Sequence, residues 1–249
     1  MASNGERPEI RIGTSGWVYQ HWRSIFYPTE LPSAKWLAFY ADHFQTVELN
    51  ASFYRLPSEN AFRAWATSVP EGFIFAVKAS RFVTHVKKLK DAGEAIENLL
   101  VRARLMGPKL GPILYQLPPG WNCNLERLAD FLALLPTDLR YAFEFRNSTW
   151  LTEPVYETLE RYGAALCIIS LPEYPLILRA TAPFVYIRLH GAQALYGSRY
   201  SDRELAWWAE QIAAFRDEGR DVYVYFNNDA FGYAVENAFT LRRVLGEGC

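Results

Sequence analysis

The chain has 249 residues, half of them hydrophobic, and its 26 Lys and Arg against 27 Asp and Glu give a net charge of −1. This balance excludes a global attraction to nucleic acid or acidic membranes, and the length suits one domain with a large core. No apolar run approaches the roughly 18 residues of a membrane span. Cys123, Cys167 and Cys249 lack the paired spacing of a zinc site or a disulfide framework. We therefore expect a cytoplasmic protein with free thiols and no membrane partner.

Residues 1–9 are polar and lack an apolar core, which predicts a flexible tail and no targeting signal. From residue 10 onward, short β-rich runs alternate with helix-like segments. The predicted strands are 10–14, 46–49, 73–78, 112–116, 140–144, 164–169, 184–189 and 222–226. The predicted helices are 34–43, 59–68, 92–106, 125–135, 153–162, 202–216 and 233–245, with Ser33, Ser58, Asn124 and Ser201 as N-caps.

Eight strands separated by helices predict a single (β/α)8 barrel of the TIM type over residues 10–249. No glycine-rich phosphate fingerprint follows the first strand, which disfavours a dinucleotide-binding fold. One connection departs from the ideal pattern. Only residues 170–183, with three prolines, separate the sixth and seventh strands, so we expect an irregular link without a full helix and a barrel distorted on that side.

Charged and titratable residues stand at the ends of these apolar strands. They are Glu48, Lys78, Glu144, Arg146, Arg188 and His190. Because alternate side chains of a strand share a face, these residues and also Asn50, Gln116 and Asn227 fall on the face opposite their apolar neighbours. Parallel barrels build their sites at the carboxyl ends of the strands. The pattern therefore predicts one convergent polar site inside the barrel mouth.

The predicted mouth carries more positive than negative side chains. Arg55, Lys78, Arg81, Arg146 and Arg188 outnumber Glu48 and Glu144, so we expect a small anionic ligand bearing a carboxylate or a phosphate. The leading hypothesis is an enzyme in which Glu48, Lys78, Glu144 and His190 are catalytic and Arg146 and Arg188 hold the anion. A buried salt-bridge network of Glu48, Lys78 and Glu144 explains the same residues equally well.

Loops at the predicted mouth supply further candidates for substrate binding. Thr14 and Trp17 follow the first strand, Tyr54 follows the second, and Asn227 and Asn228 follow the eighth. Residues 191–201 and 227–232 occupy places where barrels often bind phosphate through backbone amides. Ordinary turn chemistry accounts for their glycines equally well.

Other functions fit some of these residues. A metal-dependent phosphodiesterase or isomerase would use Glu48, Glu144 and His190 as ligands of a divalent metal, with His85 nearby. A glycosidase would use the two glutamates together with Trp17, Tyr54 and Trp150. A nucleic-acid-binding barrel without catalysis would use the basic cluster of Arg81, Lys87, Lys88 and Lys90. No cofactor is strongly implied.

Several ordered motifs are similar to those of the YecE-like family, also called domain of unknown function 72. They include Gly13-Thr14-Ser15-Gly16-Trp17, Val47-Glu48-Leu49-Asn50, Phe75-Ala76-Val77-Lys78, Gln116-Leu117-Pro118-Pro119, Phe143-Glu144-Phe145-Arg146, Arg188-Leu189-His190-Gly191 and Tyr225-Phe226-Asn227-Asn228. The resemblance covers nearly the whole chain and implies a TIM-type barrel whose motifs cluster at the strand ends. It implies no settled reaction, although the family's barrel has been likened to metal-dependent endonucleases that act on abasic DNA.

Overall fold

The structure, a computed structural model, describes residues 8–191 and 193–246. The predicted tail at 1–9 thus lies mostly outside the described residues, as does Cys249. Glu9 is described, and its backbone N–H donates to Asp221 at 3.0 Å while its carbonyl accepts from Val222 at 2.8 Å. This part of the predicted tail is therefore hydrogen-bonded to the last strand of the sheet.

The described residues contain eight strands and eight α-helices. The strands are β1 (Ile10–Thr14), β2 (Thr46–Leu49), β3 (Ile74–Lys78), β4 (Leu110–Gln116), β5 (Tyr141–Glu144), β6 (Ala165–Ser170), β7 (Phe184–Leu189) and β8 (Asp221–Phe226). The α-helices are α1 (Trp36–Ala41), α2 (Ala51–Tyr54), α3 (Glu59–Thr67), α4 (Gly93–Ala103), α5 (Leu125–Ala133), α6 (Glu153–Arg161), α7 (Asp202–Asp217) and α8 (Tyr233–Val244).

All strand pairs are parallel, and their order around the sheet is β1-β8-β7-β6-β5-β4-β3-β2. A single parallel bridge between Ser15 and Glu48 joins the two outermost strands, β1 and β2. The predicted (β/α)8 barrel is confirmed, nearly closed by strand pairing. Since all its strands run in one direction, their carboxyl ends meet at one mouth.

Two apolar layers hold the barrel together. The larger layer packs the helices onto the outer strand faces and contains Ile12, Val47, Val77 and Leu189. The smaller layer fills the barrel interior, and its members include Ala76, Leu114, Ala142, Cys167, Tyr186 and Tyr225. Interior residues share the parity of the polar residues at the strand ends, so the barrel core forms the floor of the predicted site.

Three of the four predicted helix caps are confirmed. The side chains of Ser58 and Asn124 accept hydrogen bonds from backbone N–H groups of α3 and α5, and Ser201 forms a capping box with Glu204 at the start of α7. The prediction for Ser33 is wrong. This serine lies in a separate 3₁₀ turn, Ser33–Lys35, and α1 begins at Trp36 without a side-chain cap.

The connection between β6 and β7 contains no helix, as its prolines predict. The short helix α2 was not predicted, and a five-residue π-helical segment, Phe82–Val86, follows β3. Such segments frequently lie at functional sites. Within the described part of the chain, no helix is long and apolar enough to cross a membrane.

Candidate active site

The strand ends bring Glu48, Lys78, Glu144, Arg188 and Gln116 to the inner face of the barrel mouth. Each lies two residues after an inward-facing residue of its strand, as Lys78 follows Ala76 and Glu144 follows Ala142. Gln116 and Glu144 are direct partners in the pairing of β4 with β5. The sequence pattern therefore predicted the location of this cluster correctly.

Arg188 joins the two glutamates across the barrel. Its Nη2 donates to Glu48 Oε1 at 2.7 Å, and its Nη1 donates to Glu144 Oε2 at 2.5 Å. All three side chains are at most 1% exposed. A buried charge is tolerated when it is paired, and here one guanidinium serves two carboxylates. The buried network is therefore centred on Arg188, whereas the sequence hypothesis centred it on Lys78.

Every carboxylate oxygen of the two glutamates has a donor. Glu48 also accepts from the hydroxyl of Ser15 and, at 2.7 Å, from that of Tyr186. Glu144 also accepts from Gln116 Nε2 at 2.6 Å and from Arg146 Nε. These interactions leave both carboxylates fixed in position by charged and neutral donors.

The two glutamates are ionised despite their burial. Burial alone would raise the pKa of Glu48, but the charges of Arg188 and Lys78 outweigh it and lower that pKa. Burial likewise opposes ionisation of Glu144, but Arg146 and Arg188 hold its pKa well below the usual value. Neither residue is a proton donor at neutral pH.

His190 is a neutral ring whose tautomer follows from its neighbours. Burial and the charge of Arg188 lower the pKa of His190 to about 4. Its Nε2 lies 2.9 Å from Arg146 Nη2, and because a guanidinium only donates, Nε2 must carry the lone pair. The ring proton is then on Nδ1, 3.0 Å from the side-chain amide of Asn227. The Asn227 atom at this distance is placed as Nδ2, and we assign the amide in the flipped orientation, with its oxygen at this contact, because Nδ1–H requires an acceptor.

Lys78 is the least engaged charged group of the cluster. Its ammonium forms no hydrogen bond, and no ion pair within 4.0 Å, with any residue of the described ranges 8–191 and 193–246. The nitrogen instead lies 4.1 Å from the centre of the Phe53 ring. Burial and the charge of Arg188, only partly offset by the glutamates, lower the pKa of Lys78 to about 8.

Lys78 and Arg146 are also the most exposed of the charged strand-end residues. Lys78 is 8% exposed and the Arg146 side chain is 12% exposed, against at most 1% for Glu48, Glu144, Arg188 and His190. Gln116 and Asn227 are partly exposed beside them. His85, in the π-helical segment, packs edge-on with Phe53, with ring centres 5.2 Å apart.

The alternative metal set does not fit this geometry. Glu48 and Glu144 direct all four oxygens to hydrogen-bond donors, and His190 directs Nε2 to Arg146. Two guanidiniums thus occupy the positions that a cation would need. In the described ranges, no group of three His, Cys, Asp or Glu side chains is arranged to hold a metal ion.

Several predicted binding residues lie elsewhere. Thr14 faces α1, where its backbone N–H and hydroxyl contact the Tyr40 hydroxyl at 2.9 and 3.0 Å. Asn228 is fully buried and donates to the Ser198 carbonyl and to Asn237. Trp150, a candidate for a sugar platform, is fully buried and donates to the Trp121 carbonyl.

The loop after β7 uses some of the backbone amides that were candidates for phosphate binding. The N–H groups of Gln193 and Ala194 both donate to the Ser198 hydroxyl at 3.0 Å. Tyr196 donates its backbone N–H to the His190 carbonyl, and its ring packs edge-on to His190. Ala192 lies outside the described residues.

Trp17, Asn50 and Tyr54 line a cavity at the rim of the mouth, with a volume of about 530 Å³. Asn50 also belongs to the cluster, because its Nδ2 donates to the Ser15 hydroxyl at 2.8 Å and Ser15 donates to Glu48. The predicted binding residues therefore divide between the charged cluster and this neighbouring cavity.

A model of the family described as "Protein of unknown function DUF72" matches residues 11–248. The chain belongs to this family. The UPF0759 protein YunF of Bacillus subtilis (strain 168) is 29% identical over 269 residues, covering 95% of this chain and 94% of that protein. The UPF0759 protein YecE of Escherichia coli (strain K12) is 27% identical over 154 residues, covering 61% of this chain and 54% of that protein. The YecE-like resemblance is thus confirmed.

Solved structures of DUF72 family proteins share the barrel. That of a Thermotoga maritima MSB8 protein has a TM-score of 0.87 at 30% identity and covers 96% of this chain and 100% of that one. That of an Enterococcus faecalis V583 protein has a TM-score of 0.85 at 23% identity, covers 96% of each chain and shows the common fold alone. None of these descriptions names a reaction.

Two residues that contact this cluster were not among the predicted site residues. Tyr186 donates to Glu48, and Phe53 contacts Lys78. The alternation that selected Arg188 and His190 also places Tyr186 on the inner face, so parity alone could have found it. Phe53 lies in α2, a helix without a strong sequence signal.

Proposed function

We propose that this protein is an enzyme that transfers a proton to or from a small substrate bearing a carboxylate or a phosphate. Lys78 is the acid–base group, and the reaction takes place at the carboxyl ends of the barrel strands. The observation that carries the proposal is the state of Lys78. Its side chain is nearly buried and its pKa is lowered to about 8, yet its ammonium forms no ion pair with the adjacent glutamates.

A pKa near 8 suits this role. At neutral pH, Lys78 is mostly protonated but has an accessible free-base form, and proton transfer is most effective when the pKa of the catalytic group lies near the working pH. Lysine is well adapted to such tuning because desolvation shifts its pKa readily. The Phe53 ring holds the ammonium without consuming a hydrogen bond, which leaves its donors for a substrate.

The charges of the cluster favour an anionic substrate. Lys78, Arg146 and Arg188 provide three positive charges against two from Glu48 and Glu144, and His190 is neutral, which leaves one net positive charge. Lys78 and Arg146 are the most exposed of these charged residues. A carboxylate or phosphate bound beside them would offset the net positive charge of the cluster.

In this proposal the other residues position the reactive groups. Glu48 and Glu144 fix Arg188 and Arg146, and Arg146 in turn fixes His190. Gln116 and Asn227 flank the mouth with amides that can hydrogen-bond to neutral parts of a substrate. The glutamates are thus assigned a positioning role, since both are ionised and fully paired.

The test combines a Lys78→Met variant with a panel of phosphate monoesters and small carboxylates. Lys90→Met is the matched control because Lys90 is exposed. Loss of the acid–base group should lower turnover at least about 100-fold, and binding of inorganic phosphate should weaken as well. Equal turnover and equal phosphate binding by both variants would contradict the proposal.

A further inference from the structure

The cavity beside the charged cluster has a chemistry of its own. It is framed by the loop after β1, by α2 and by α3, and its volume is about 530 Å³, within the usual range of small-molecule sites. The aromatic side chains of Trp17, Trp65, Tyr19 and Tyr54 line it. Among the residues that the structure describes, no acidic or basic side chain does so.

Two of these aromatic walls are held in place by the fold. Trp17 is buried and packs edge-on against Trp65, with ring centres 5.9 Å apart. The Trp17 carbonyl accepts from the buried Tyr27 hydroxyl at 2.6 Å. Rigid aromatic walls of this kind bind flat apolar groups at low entropic cost.

The cavity adjoins the reactive group through α2. Phe53 and Tyr54 are consecutive residues whose ring centres lie 5.2 Å apart, and Phe53 contacts Lys78 whereas Tyr54 lines the cavity. Asn50, before α2, provides a second link because its side chain lines the cavity and donates to Ser15, the partner of Glu48. The cavity and the reactive group are thus connected by residues of α2 and by Asn50 just before it.

We infer that this cavity binds the flat, apolar part of the substrate whose anionic group lies at Lys78. The substrate class is then an aryl or similarly planar carboxylate or phosphate. This inference rests on the proposed function for the position of the anion, and on the cavity's own lining for the apolar part. Tyr54, which is 76% exposed, stands at the open side of the cavity, where closing over a ligand would bury it.

Calorimetric binding of 1-naphthyl phosphate, compared with inorganic phosphate and 1-naphthol, tests the inference. The wild-type protein should bind 1-naphthyl phosphate at least about tenfold more tightly than inorganic phosphate, since burial of a ring system contributes well over 1.4 kcal/mol. Ala64→Trp should remove this gain by filling the cavity from an exposed position on α3. Thr67→Trp, on the same helix but outside the cavity, should leave it unchanged.

The variants separate this inference from the proposed function. If Lys78→Met weakens binding of 1-naphthyl phosphate but Ala64→Trp does not, the cavity inference is overturned and the anion site stands. If Ala64→Trp weakens binding while Lys78→Met has no effect and 1-naphthol binds equally well, the cavity binds flat apolar groups and the anion site fails. Equal affinity of the wild-type protein for 1-naphthyl phosphate and inorganic phosphate also overturns the inference.

Discussion

The ammonium nitrogen of Lys78 lies 4.1 Å from the centre of the Phe53 ring. A ring in this position stabilises the charged form of lysine, typically by about 0.5–1 kcal/mol or more when water is excluded. Burial and Arg188 act in the opposite direction and prevail, which lowers the pKa of Lys78 to about 8. Phe53 therefore moderates the downward shift of the Lys78 pKa.

Replacing Phe53 by Leu should lower the pKa of Lys78 further, by roughly 0.4–0.7 units, because the stabilising π face is lost. The change can be followed by competitive acetylation of Lys78 as a function of pH, with peptide mass spectrometry. Tyr54→Leu is the matched control, since its ring belongs to the same helix but faces the cavity. An unchanged pKa in Phe53→Leu would show that the contact has no energetic role.

The stability difference between the wild-type protein and Lys78→Met should depend on pH. The folded pKa of about 8 lies below the ordinary 10.5, so between these values the unfolded chain binds more protons than the folded one. As the pH increases through this window, the free energy of unfolding of the wild-type protein should therefore rise relative to that of the variant, by up to ~3 kcal/mol. Urea unfolding at a series of pH values measures this difference, and a flat difference would contradict the shift.

Arg188→Met should destabilise the protein by about 3–5 kcal/mol at neutral pH, because it leaves two ionised glutamates buried without their shared partner. Arg203→Met, an exposed replacement on α7, should change stability by less than about 0.5 kcal/mol. Adding Glu48→Gln and Glu144→Gln to Arg188→Met should restore much of the loss. If the triple variant is no more stable than Arg188→Met, unpaired charge is not the cause.

His190 should remain neutral well below the ordinary histidine pKa of 6.5, because its own pKa is lowered to about 4. As the pH falls, the histidine is therefore protonated in the unfolded chain before it is protonated in the folded protein. The stability that neutral His190 contributes is present above pH 6.5 and is lost as the pH falls towards 4. Nitrogen-15 NMR should show a protonated Nδ1 and an unprotonated Nε2 at neutral pH. A protonated Nε2 would contradict the contact with Arg146.

The barrel and the position of the charged cluster could be predicted from the sequence, because strand parity and strand order fix which residues meet at the mouth. The division of roles could not. Both Lys78 and Arg188 are inward-facing cations, and only their packing shows that Arg188 pairs with the glutamates while Lys78 does not. Thr14 lies on the helix-facing side of β1, together with Ile10 and Ile12. The alternation rule that located the cluster therefore also argued against assigning Thr14 to the site.

The cavity beside the cluster was also beyond prediction. Trp17 and Tyr54 were predicted as mouth residues, but Trp65 comes from α3 and meets them only through helix packing. Sequence patterns report which face of an element is apolar, whereas a cavity depends on the gaps between elements. The Phe53 contact has the same origin, since it depends on how α2 lies over β3.

Titration of Lys78 by competitive acetylation, with and without inorganic phosphate, tests its assigned role directly. We expect a pKa of about 8 in the free protein and a higher pKa, with protection from acetylation, when phosphate binds beside the ammonium. A Lys78 that titrates at the ordinary 10.5 and does not respond to phosphate would contradict the claim that it is the acid–base group of an anion site.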